Sequence, residues 1–146
     1  MSNSTTVCID AGIVVRLTLG LDDTGIKQRW DSWISQGDTL VSPALLYYEV
    51  TNALYRQGKS GLLTPEFIRD ALDFALGLPI KLISDTGLHQ RARALALEYN
   101  LAATYDAHYL AVAEQFGAQL WTTDARLVKA VQPFGVNWVK LPHISE

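Results

Sequence analysis

Short apolar runs rich in β-branched residues alternate along the chain with longer stretches whose apolar positions recur every three to four residues. Residues 7–9, 39–41, 80–83, 119–122 and 136–140 have strand length and composition. Residues 12–19, 25–36, 85–99, 107–116 and 125–131 have helical periodicity. Two more helices are announced by a hydroxyl residue followed by proline, the pairing of an N-cap with a first helical position that needs no N–H. Ser42-Pro43 starts one that runs through Tyr55 to about Gln57, with Gly58 as its C-terminal cap. Thr64-Pro65 starts another that ends near Gly77. Strands alternating with crossover helices predict an α/β fold around a parallel sheet. On the helices, Ile26, Trp30, Trp33 and Ile34 read as core, as do Leu88, Ala92, Leu95 and Ala96.

The chain has 146 residues, the size of one domain with a substantial core, and no repeat or linker divides residues 1–146. A hydrophobic fraction of 49% and a charged fraction of 18% exclude a disordered chain. The net charge of −3 supplies no overall electrostatic footprint for nucleic acid. Cys8 is the one cysteine, set in an apolar run, so a buried reduced thiol is expected. The first six residues are polar, and no apolar run reaches the ~20 residues that span a bilayer. A soluble, cytoplasmic protein with no membrane segment is the expectation.

Four acids change the picture. Asp10 ends the first apolar strand and Asp124 follows the fourth; Asp106 opens an apolar helix. Singly, each has an ordinary explanation, because Asp before a helix accepts backbone N–H bonds and complements the macrodipole. Glu49 has none of that kind. On helical spacing it sits among Leu45, Leu46, Val50 and Ala53, where a carboxylate is rarely left unless it is paired or coordinating. Arg56, two turns on, is the candidate ion-pair partner. In a doubly wound sheet, strand C-termini and helix N-termini share one edge, where such proteins bind ligands. Two carboxylates ~6 Å apart repel by ~3 kcal/mol at an effective dielectric of 20. A cluster of four therefore takes up protons or binds a hard divalent metal such as Mg²⁺ or Mn²⁺. Metal held by carboxylates is common equipment for hydrolysing phosphodiesters.

The blocks Cys8-Ile9-Asp10-Ala11, Tyr48-Glu49-Val50-Thr51-Asn52-Ala53-Leu54, Tyr105-Asp106-Ala107-His108-Tyr109-Leu110-Ala111 and Thr122-Thr123-Asp124-Ala125-Arg126-Leu127 occur in this order. Together they resemble the four signature blocks of PIN domains, and in particular the VapC-type toxins, over nearly the whole chain. The resemblance implies a three-layer α/β/α sandwich with a mainly parallel central sheet. It also implies Mg²⁺- or Mn²⁺-dependent cleavage of single-stranded RNA by the toxin half of a toxin–antitoxin pair. The family's acidic quartet falls on Asp10, Glu49, Asp106 and Asp124, its hydroxyl residue before the last acid on Thr123, and a polar position near the metal on Asn52. A small antitoxin protein and a homodimer are the implied partners. No further carboxylate follows Asp124 in Ala125-Arg126-Leu127, so one firmly held metal is expected.

Arg16, Arg56, Lys59, Arg126 and Lys129 border the same edge, and Arg16 and Arg126 are the first candidates for holding an RNA backbone. His108 is expected to turn away from Asp106 as a surface or packing residue, and His89 and His143 have no partner pattern. No Cys/His spacing suggests zinc, and neither a Ser/His/Asp set nor a Gly-rich phosphate loop is evident. Two alternatives remain at this point. A phosphoaspartyl protein would need a second Asp two residues after the first, where Gly12 stands, or the adjacent acids and strand-end lysine of a receiver. A non-catalytic PIN-like module binding RNA or protein would not need all four acids.

Overall fold

A computed structural model describes residues 4–21 and 25–142. The elements are β1 (Thr6–Ile9), α1 (Ala11–Leu19), α2 (Ile26–Ser35), β2 (Thr39–Pro43), α3 (Leu45–Lys59), α4 (Pro65–Leu76), β3 (Ile80–Ile83), α5 (Gly87–Glu98), α6 (Tyr105–Gln115), β4 (Gln119–Trp121), α7 (Ala125–Val131) and β5 (Val139–Lys140). The five strands pair in parallel in the order β3-β2-β1-β4-β5. Helices α1, α3 and α4 pack with one another, α5 and α6 pack with each other, and α6 lies on β1, β2 and β4. The expected α/β class with a parallel sheet is what the chain adopts.

Why the site forms where it does follows from this order. From β1 the chain steps outward to β2 and β3, then crosses back to lay β4 on the other side of β1. The crevice outside the carboxyl ends of β1 and β4 is therefore the topological switch point, where doubly wound sheets bind ligands. Ile9 is level with Trp121, and the Asp10 N–H donates to Trp121 O at 3.1 Å, so the ladder continues one residue past β1. Cys8, Ile9, Val41 and Leu120 are completely buried on these central strands, so one-sided alternation is absent.

Several expected boundaries and placements are corrected. Ser42-Pro43 does not start a helix: both residues belong to β2, paired with Leu82 and Ile83, and α3 begins at Leu45. The residue before proline is biased towards extended backbone, and the Ser42 hydroxyl, instead of capping, donates across the sheet to Ile9 O at 2.9 Å. Gly58 lies inside α3 and not at its cap. Its missing side chain admits Ile68 of α4, whose Cγ1 would be 3.2 Å from a Cβ there, so the glycine serves helix–helix approach. Helix α6 begins at Tyr105, which places Asp106 inside the first turn with no capping bond of its own. Ile34 is 45% exposed and not core, whereas Ile26, Trp30 and Trp33 are buried. Thr64-Pro65 does cap α4, with Thr64 Oγ1 accepting from the Phe67 N–H at 3.1 Å. Among the described residues no helix is long and apolar enough to cross a membrane.

Candidate active site

Asp10 leaves β1 in extended backbone and caps α1, its Oδ1 accepting the Ile13 N–H at 3.1 Å. Its Oδ2 accepts a short hydrogen bond from the Thr122 hydroxyl. The same Thr122 oxygen accepts the Asp124 N–H at 2.9 Å, and Asp124 in turn caps α7 by accepting the Arg126 N–H at 2.9 Å. One buried hydroxyl thus bridges the two strand-end acids. Asp106 and Tyr109 share a face of α6 three residues apart. The Tyr109 hydroxyl donates to Glu49 Oε1 on α3 at 2.5 Å.

The electrostatics link all four acids. Burial pushes the Asp10 carboxyl up to about 6, the hydrogen bonds from Thr122 and Ile13 oppose this, and the charges of Asp106 and Glu49 raise it further. Asp106 is also raised, first by partial burial of its carboxyl, although the residue as a whole is exposed, and then by Asp124 and Glu49. Neighbours of like charge are part of the pattern expected of a site that awaits a cation. The ion pairs of the described residues that the structure shows lie elsewhere: Lys27–Asp31, Arg69–Asp70 and Arg91–Glu114. Glu49 meets the Tyr109 hydroxyl; no such pair with Arg56 is among them.

This donor set suits a hard divalent ion, since every candidate ligand is oxygen. Among the described residues no three His, Cys, Asp or Glu side chains are gathered closely enough to hold a metal ion between them. An open set is compatible with Mg²⁺, which keeps several waters and usually takes one or two carboxylates alongside substrate phosphates.

The PIN domain profile matches residues 7–132. The chain belongs to the PIN domain family. A curated relative, Ribonuclease VapC3 of Pyrobaculum aerophilum, is 33% identical over 98 residues, covering 66% of this chain and 74% of that protein. Among solved structures, PAE2754 from Pyrobaculum aerophilum superposes with a TM-score of 0.70 at 23% identity, covering 97% of this chain and 92% of that one. A toxin–antitoxin complex from Klebsiella pneumoniae gives a TM-score of 0.65 at 22% identity, covering 93% and 97% of the two chains. At these identities the two structures establish the likeness of fold.

In this PIN domain, Asp10, Glu49, Asp106 and Asp124 come to one sheet edge from β1, α3, α6 and the β4–α7 turn. Thr123 is half-buried, and its Oγ1 lies against the backbone of Gly12: a Cβ at Gly12 would overlap that oxygen and sit 3.1 Å from Thr123 Cβ. Thr122, not Thr123, makes the hydroxyl contact to Asp10. Asn52 is exposed on α3 and Arg126 is exposed on α7, while Arg16 is half-buried on α1. Sequence reasoning passed over Thr122 and Tyr109. The signal for Tyr109 was its position three residues after Asp106; Thr122 carried none, because Leu120, Trp121 and Thr122 are all buried in succession. His89 does have a partner: its Nδ1 lies 2.9 Å from His108 Nε2, and His108 Nδ1 lies 2.7 Å from Thr104 O. His143 lies outside the described residues.

Proposed function

We propose that this PIN domain is a divalent-metal-dependent endoribonuclease that cuts single-stranded RNA, the toxin of a toxin–antitoxin pair. The observation that carries the reading is that carboxylates from β1, α3, α6 and the β4–α7 turn meet at the switch point of the sheet, where burial first and neighbouring acids second raise Asp10 and Asp106. The likeness to Ribonuclease VapC3 and to a chain from a toxin–antitoxin complex supports it. On this reading Asp10, Asp106, Asp124 and Glu49 hold Mg²⁺ or Mn²⁺. A bound ion would stabilise charge developing on the phosphate and activate a water.

The protein's own groups prepare that chemistry. Thr122 fixes Asp10 and the Asp124 backbone relative to each other, so two acids on different strands share one reference point. Tyr109 holds one oxygen of Glu49 and leaves the other available. Thr123 sits beside the last acid and lines the turn that carries it. Arg16, Asn52 and Arg126 are assigned to the RNA backbone, Asn52 and Arg126 from exposed positions. A small antitoxin is the proposed regulatory partner and a homodimer the proposed assembly.

The test is cleavage of single-stranded RNA by purified protein with Mg²⁺ or Mn²⁺ and with EDTA. Chelation should abolish cutting, and Asp10→Asn and Asp106→Asn should each lower it by roughly 100-fold or more, the scale of losing a charge-stabilising group. Both variants cutting like the parent would sink the assignment.

A further inference from the structure

We propose that a hollow beside the acidic edge is a nucleobase subsite, in which an unpaired base next to the scissile phosphate stacks on Tyr48 and Tyr105. The proposal rests on the ribonuclease reading above and adds a specificity-determining position to it. The hollow has a volume of about 370 Å³ and opens at the carboxyl ends of β2 and β3, the same sheet edge that carries the acids. Its floor is apolar, formed by Leu45, Ile83 and Leu88.

Two aromatic side chains border it and are left in water: Tyr48 is 75% exposed and Tyr105 is 61% exposed. Each immediately precedes a candidate catalytic acid, Glu49 on α3 and Asp106 on α6. Successive helical residues diverge by about 100°. A ring and its neighbouring carboxylate therefore serve two adjoining compartments, one for a base and one for the phosphate beside it. The neighbouring Tyr47 shows what a structural tyrosine does here, since its hydroxyl donates to Ala75 O at 2.5 Å.

The histidine pair holds the remaining wall in place. Thr104 O can only accept, so His108 Nδ1 carries the proton and donates to it. His108 Nε2 faces His89 Nδ1 at 2.9 Å, so the two rings hold each other and neither contact asks for a ligand. Asp85 at the rim spends Oδ1 on the Gly87 N–H at 3.0 Å and keeps Oδ2 for a donor on a base edge. An apolar floor, aromatic faces and a few polar groups at the rim are the means by which proteins take up splayed single-stranded bases.

The test uses mixed-sequence single-stranded RNA on the order of twelve nucleotides long, with 2-aminopurine placed at each position in turn. Binding to the full chain is followed by fluorescence in EDTA, where no cutting intervenes. The expected result is a fluorescence change confined to one or two positions. It should disappear in Tyr48→Ala/Tyr105→Ala, with RNA binding weakened about 5- to 100-fold, the range of lost base–aromatic stacking. A response that is flat, or unmoved by losing both rings, overturns the subsite. So does a change in oligomeric mass of the double variant by sedimentation, which would make this face an interface between protein chains. Stacking in EDTA without cleavage in Mn²⁺ retains the subsite and removes the ribonuclease reading instead.

Discussion

Tyr109 on α6 reaches across to Glu49 on α3, its hydroxyl 2.5 Å from Oε1, and Tyr109 is itself 2% exposed. A buried phenol is thus the partner of the one acid that interrupts an apolar helix face. Burial pushes the Tyr109 hydroxyl well above its ordinary range, and Glu49 pushes it further, so it remains a donor at every working pH.

Removing that hydroxyl alone tests whether it positions Glu49. Tyr109→Phe keeps the ring's packing and loses one hydrogen bond to a charged group, about 1.5–3 kcal/mol in the fold. RNA cleavage should fall by roughly 10-fold or more through kcat, with KM little changed, because the carboxylate is present but misplaced. A variant with parental kcat would assign the contact to packing only.

Two adjacent threonines have separable roles. Thr122→Val deletes the donor to Asp10 and the acceptor of the Asp124 N–H, and should destabilise by about 1–3 kcal/mol while lowering cleavage. Thr123→Val keeps the shape that fits Gly12 and should retain most stability. Chemical denaturation of both variants decides the matter; equal losses would mean that Thr122 does not act as the bridge.

Acidity offers a third check, on metal-free protein. The Asp10 carboxyl is raised from 3.8 to about 6. A raised carboxyl binds its proton more tightly in the folded state, so its stabilising effect is complete below about 3.8 and is lost as pH rises through about 6. Burial is the main cause, the hydrogen bonds from Thr122 and Ile13 oppose it, and the charges of Asp106 and Glu49 add to it; Cys8 and Tyr109 lie close by. Asp10→Asn should therefore raise stability at pH 7.5 by about 1–3 kcal/mol, a gain that shrinks through pH 6 and is gone by about pH 4. Thermal melts across that range measure it. Saturating Mn²⁺ should reverse the order of the two proteins, and an Asn variant less stable than the parent in EDTA at pH 7.5 would contradict the electrostatic account.

What the chain dictated by itself is local in origin. Strand composition and helical period placed β1, β4 and α7 closely, because burial on both faces of a central strand and on one face of a helix writes itself into residue order. The four acids were legible for the same reason: each stands at an element end or breaks an apolar face. Tertiary structure decided the rest. Whether Ser42 caps a helix or crosses the sheet to Ile9 depends on pairing with β3, nearly forty residues away. That Thr122 and not Thr123 holds Asp10 depends on the level at which β4 meets β1. Tyr109 meets Glu49, and His108 meets His89, only because α6 is packed beside the sheet and beside α5. Periodicity fixes which face a residue occupies, but the partner on that face is chosen by strand order and helix packing, which bring together residues remote in sequence.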